Sequence, residues 1–191
     1  VSAKDFAAAL RRLGACGEAR VWASGRTLQQ AWAECPRGDW LLWLAGRAGV
    51  ERKVVVLAAC ACARLALKHV RPGEERPLRA VETAEAWARG DASVSLEDVR
   101  KAARAADAAA AYAFAAFAAA YAAYAAFAAA DAAYAAADAA YAAADAAYAA
   151  DAADAAADAA DAARTTLAEC ADIVRAHIPV ALVADALGGA K

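Results

Sequence analysis

Through the first hundred positions, apolar residues recur at steps of three and four and are cut at short intervals by Gly or Pro. This spacing predicts a series of short amphipathic helices. Ser2 is placed to cap a helix reaching Arg12 and ended by Gly14, and a second, from Glu18 to Ser24, stops at Gly25. Thr27 caps a third that runs to Cys35, just before Pro36. Asp39 is expected to cap WLLWLAGRAG, which is apolar nearly all round and therefore buried. The most apolar helix spans Glu51 to Val70 and closes in the turn at Arg71 to Gly73, and Pro77 begins another that ends at Gly90. The core of this region is expected around Trp32, Trp40, Trp43 and Trp87.

From Lys101 to Arg164 the pattern changes to near-continuous alanine, broken every third or fourth position by Tyr, Phe or Asp, without Gly or Pro. Alanine loses no side-chain entropy in a helix, so this tract is helical whatever surrounds it. Ser95 and Asp98 form an acidic variant of the capping box at its start, with Val94 and Val99 at the staple positions. The substituted positions share one stripe: aromatic through Phe117, Tyr121, Tyr124 and Phe127, then alternating through Asp131, Tyr134, Asp138, Tyr141, Asp145 and Tyr148. It ends purely acidic, through Asp151, Asp154, Asp158 and Asp161. An unbroken helix from Leu96 to Arg164 would span on the order of 100 Å. The sequence leaves open whether it stays one rod or breaks into a hairpin, and whether it packs on the preceding helices or on a second copy. Thr165 and Thr166 weaken the helix without stopping it, LAECADIVRAHI continues to Pro179, and a short VALVADAL helix closes at Gly188 and Gly189. The expected fold class is all-α, with a helical N-terminal domain (1–94), the alanine-rich helix (95–164) and a C-terminal helical segment (165–191).

Charge divides the chain more sharply than its formal net charge of −2 suggests. Residues 1–104 carry 18 Lys+Arg against 12 Asp+Glu, whereas residues 105–163 carry eight Asp and no basic residue. A basic head is thus joined to an acidic tract. Recurrent Asp from position 131 argues against a membrane span there, and the N-terminus lacks the charged and apolar regions of a signal peptide. Five cysteines, an odd count without framework spacing, favour a reducing cytoplasmic location.

Several segments carry a family likeness: AWAECPRGDWLLWLAGRAG, then VVVLAACACARLALKHVRPGEERPLRAVETAEAWARG, then the Ala/Asp/Tyr tract, then ECADIVRAHIP. Together they resemble a family of bacterial immunity proteins, the immunity protein five-like group of polymorphic-toxin systems, over most of the chain from Trp32 to Pro179. The resemblance implies a cytoplasmic protein that binds and neutralises a toxin. It implies no catalytic residues.

Motifs for chemistry are sparse. His69 and His177 stand alone near helix C-termini, where an imidazolium favours the dipole, and neither has a partner at metal-ligand spacing. Cys60 and Cys62 project roughly 200° apart on a helix and read as small buried apolar residues rather than chelators. The glycines of GRAGVER and RPGEER form no phosphate loop, and Ser24, Ser93 and Ser95 have no nucleophile context. The Asp ladder is a poor general acid–base pair because every carboxyl has the same alanine neighbours. It suits binding better. Its charges repel one another at spacings of three and four, which a cationic partner would relieve. That partner is either internal, through Arg52, Lys53, Arg64, Arg76, Arg79, Arg100, Lys101 and Arg104, or a basic protein met by exposed Tyr and Asp.

The sequence therefore points to a non-enzymatic protein-binding module without a cofactor, metal or membrane span, toxin immunity first. Its binding or self-association residues are Tyr121, Tyr124, Asp131, Tyr134, Asp138, Tyr141, Asp145, Tyr148, Asp151, Asp154, Asp158 and Asp161. The alternative is a structural protein that forms a homo-oligomer or filament through the Tyr/Asp stripe. Nucleic-acid binding by the head is weaker, since its cations are interspersed with acids and lack aromatic interleaving.

Overall fold

The computed structural model describes residues 1–70, 72–110 and 156–189, and every regular element among them is helical. The chain is all-α, as expected. In order these are α1 (Ala3–Leu13), α2 (Gly17–Trp22), α3 (Leu28–Glu34), α4 (Gly38–Ala48), α5 (Arg52–Ala66), a 3-10 turn at Leu67–His69, α6 (Arg76–Arg89), α7 (Leu96–Ala110), α8 (Ala156–His177) and α9 (Val180–Gly189).

Local signals set most of the boundaries. Ser2 Oγ accepts from the Asp5 N–H at 3.2 Å, and Gly14 ends α1 in the left-handed conformation at φ +83°, which costs glycine nothing. Thr27 and Gln30 close a reciprocal capping box on α3, with Thr27 Oγ1 accepting from Gln30 N at 3.2 Å and Gln30 Oε1 from Thr27 N at 2.9 Å. The box at the start of α7 is present too: Ser95 N donates to Asp98 Oδ2 at 2.8 Å and Asp98 N to Ser95 Oγ at 3.2 Å.

Asp39 departs from expectation. The helix begins one residue earlier, with Arg37 at the cap position and Asp39 inside the first turn, where its carboxylate faces the positive end of the dipole. Gly38 permits this early start, because it lies directly against Cys170 and Ala171 of α8. The helix expected over Glu51–Val70 is also shorter, α5 giving way to the 3-10 turn after Ala66.

Packing is organised on α4 and α5. α8 lies against both, α6 packs on α5, α7 on α6, and α9 on α3 and α4. The centre is aliphatic, with Leu28, Leu42, Val55, Val81, Val99, Val174, Ile178 and Val183 wholly buried. Each such side chain contributes about 1.5–3 kcal/mol by leaving water. This corrects the expected tryptophan-centred core: of the indoles named from sequence only Trp32 is buried, while Trp40, Trp43 and Trp87 are half-buried against its edge. Large rings with a polar N–H fit the rim better than the middle. Residues 1–94, 95–106 and 167–183 all contribute to this single buried cluster.

Two arginines stitch distant helices by occupying orphan carbonyls. Arg47 of α4 donates to Leu13 O at 3.1 Å, at the end of α1. Arg175 of α8 donates to Trp32 O at 3.1 Å and Cys35 O at 2.9 Å, at the end of α3, while also bonding Asp172 at 2.7 Å. Each places a cation at the negative end of a helix.

Candidate functional site

The tract enters and leaves the described structure through helices of the same core. α7 buries Val99, Ala103 and Ala106, and α8 buries Leu167, Cys170, Ala171 and Val174. Of the stripe, Tyr121, Tyr124, Asp131, Tyr134, Asp138, Tyr141, Asp145, Tyr148, Asp151 and Asp154 lie outside the described residues; Asp158 and Asp161 are positions near the start of α8. The expected unbroken helix between 111 and 155 lies outside them as well.

Six of the cations offered as internal partners have partners among the described residues. Arg64 bonds Glu85 through Nε at 2.7 Å and Nη2 at 2.8 Å, and Arg89 reaches the same carboxylate at 2.8 Å. Arg76 pairs with Glu74, Arg79 with Glu75 at 2.7 Å, and Arg100 and Arg104 with Glu97 at 3.9 and 2.8 Å. Lys53 sits 5.8 Å above the Trp87 ring. The Arg64 bonds, helped by Arg89, hold the buried Glu85 carboxyl below its usual value against the opposing effect of burial.

A second feature was not anticipated from sequence. Helices α1 to α4 enclose a cleft of about 530 Å³, bounded by Phe6 and Leu10 of α1, Trp22 of α2, Trp32 of α3, and Trp40 and Trp43 of α4. Trp22 meets Trp40 edge to face, with ring centroids 6.2 Å apart. Guanidinium groups cover both of these rings: Arg26 stands 4.4 Å from the Trp22 centroid and Arg37 4.7 Å from that of Trp40. Arg37 also clamps the buried Asp39 carboxylate through Nε at 2.8 Å and Nη2 at 2.5 Å, which neutralises the one buried acid of the cleft. Trp32 is 4% exposed, and its Nε1–H has no hydrogen-bond partner among the described residues. The available signal was the crowding of four of the five tryptophans into residues 22–43, which reads as core in the absence of tertiary information.

Cysteine chemistry is confined by burial. Desolvation raises the Cys35 thiol to about 11 and that of Cys60 to about 12, and Cys62 is held well up by its hydrogen bond with the Cys170 side chain and by burial. Cys62 Sγ also lies 3.7 Å from Cys170 O, across the α5–α8 contact. Cys16, at the lip of the cleft, is exposed. His177 Nδ1 lies 2.9 Å from Ile173 O of its own helix. Among the described residues no group of three or more His, Cys, Asp or Glu is placed to hold a metal ion, and no helix is long and apolar enough to cross a membrane. Comparison of the chain with family models, curated proteins and solved structures found no significant match.

Proposed function

We propose that the chain is a non-enzymatic binding module that acts by stoichiometric association with a cationic protein, a toxin under the immunity-protein resemblance. The observation that carries this reading is the local pairing of the head. Of the eight cations offered as internal partners for the acidic stripe, Arg64, Arg76, Arg79, Arg100 and Arg104 each have a glutamate close by among the described residues. The eight Asp of residues 105–163 have no basic residue among them, so a foreign cationic surface is the natural counter-charge. The stripe joins α7 and α8, both anchored in one core, and the head thereby acts as the base from which an acidic, tyrosine-bearing segment meets its partner.

The test is the combined variant Asp151→Asn, Asp154→Asn, Asp158→Asn and Asp161→Asn. It should melt at or slightly above the wild-type temperature, because like-charge repulsion is removed. Its affinity for a toxin domain encoded beside the gene should fall, most at low salt where attraction is least screened. A lowered melting temperature would instead identify these carboxylates as internal counter-charges and sink the proposal. Light scattering separates the remaining alternative: self-association of the wild type, lost in the variant, would mark the stripe as an assembly surface.

A further inference from the structure

The charge balance of the Trp-lined cleft bears on what it could hold. Its charged lining residues are Glu18, Arg37 and Asp39. Arg37 bonds both oxygens of Asp39, so those two charges cancel. The exposed Glu18 carboxylate has no ion pair or hydrogen bond among the described residues. The cleft is thus left with one unmatched negative charge. Helix geometry turns that charge toward the rings. Glu18 and Trp22, four residues apart, share a face of α2, and Trp40 and Trp43, three apart, share a face of α4. The Trp22–Trp40 contact, with centroids 6.2 Å apart, sets these two faces against each other. One carboxylate and three indoles therefore border a single space of about 530 Å³, a size usual for small-molecule sites. Two of these indoles already attract cations within the chain: Arg26, which does not line the cleft, stands over Trp22, and Arg37 over Trp40. The Trp43 ring has no cation over it among the described residues.

We propose that this cleft binds a small organic cation, a quaternary ammonium on an apolar body, with its charge held between the Glu18 carboxylate and the Trp43 ring. Indole is the aromatic face that attracts such cations best, and the remaining rings take up the apolar body. A quaternary centre has no N–H to satisfy. A primary ammonium carries three donors, and the lining side chains offer it one unmatched carboxylate. An anion would meet the Glu18 charge while the Arg37 guanidinium is engaged by Asp39.

Phenyltrimethylammonium is the probe, and tert-butylbenzene, the same shape without the charge, is its control. In the whole chain labelled with 15N at its indoles, the Trp N–H signals are assigned from single Trp→Phe variants. The probe should shift those of Trp22, Trp40 and Trp43 saturably and leave in place that of Trp87, which lies outside the cleft on α6. Glu18→Gln removes the charge from an exposed residue and so leaves folding intact. It should weaken phenyltrimethylammonium about two- to fivefold at low salt and less at high salt, while the response to tert-butylbenzene stays unchanged. Trp43→Leu keeps an apolar wall without a ring face, and should weaken the cation more than its neutral counterpart. Phosphatidylcholine vesicles, which present the same ammonium on a lipid, should leave the three signals in place, since the apolar body has to enter the cleft as well. The proposal is overturned if the cation leaves the three signals unmoved or moves Trp87 with them, if tert-butylbenzene binds as tightly, if Glu18→Gln binds the cation undiminished, if Trp43→Leu weakens both compounds equally, or if vesicles reproduce the shifts.

Discussion

At Gly38 a methyl group would have to enter space already filled by Cys170 and Ala171 of α8, coming within 2.7 Å of the Ala171 backbone nitrogen. The obstacle is partly backbone, which cannot rotate away as a flexible side chain could. Gly38→Ala should therefore destabilise the protein by about 2–3 kcal/mol, the upper part of the range for overpacking, although alanine is the better helix former. Chemical denaturation of the two proteins checks this; a variant as stable as wild type would show that α4 and α8 do not approach so closely. Arg175 belongs to the same scale. One guanidinium closes the end of α3, bonds Asp172 and fixes α8 beside Trp32, and nothing in its local sequence announces the role.

Between elements, Glu85 ties α5 to α6. It accepts from Arg64 across the helix pair and from Arg89 one turn along its own helix, and it is only 6% exposed. Its carboxyl is held below the ordinary 4.5, so its stabilising effect is fully present above that value and is lost as pH falls through the lower, folded-state value. Glu85→Gln should thus be less stable near neutrality by about 1–2 kcal/mol, and should lose stability less steeply than wild type as pH falls below about 4.5. The cost is moderate because Arg64 and Arg89 both reach water. Parallel acid-unfolding slopes in the two proteins would exclude this account. Elements of this kind were only partly legible in the sequence. The Ser95–Asp98 box and the Thr27 cap could be read because donor and acceptor are three residues apart; that Gln30 returns the bond to Thr27 was not read. Asp39 was misread because the start of α4 is decided by Gly38 meeting α8, far along the chain. The tryptophans were visible as residues but not as the walls of a cleft, since that depends on how α2 and α4 face each other.

Across the whole molecule, the feature with the widest consequence is that α7 and α8 end a long intervening segment in one shared core. Seen from the head, residues 111–155 join α7 to α8 along the sequence, and the entropy of closing a flexible linker put in their place would grow only with the logarithm of that linker's length. A Gly/Ser linker of about 15 residues in place of these 45 would cost only ~1 kcal/mol less to close than a flexible linker of the same 45-residue length. A chain so shortened should keep its helical core and cooperative melting while losing any partner that reads the Tyr/Asp stripe; loss of cooperative melting would mean that the head relies on the segment it carries. The same separation of head and segment bears on descent. Insertions or deletions in whole seven-residue steps would keep the three-and-four spacing of Asp and Tyr in the sequence from Asp131 to Tyr148, so that pattern can lengthen or shorten without altering any residue that α7 and α8 bury in the head.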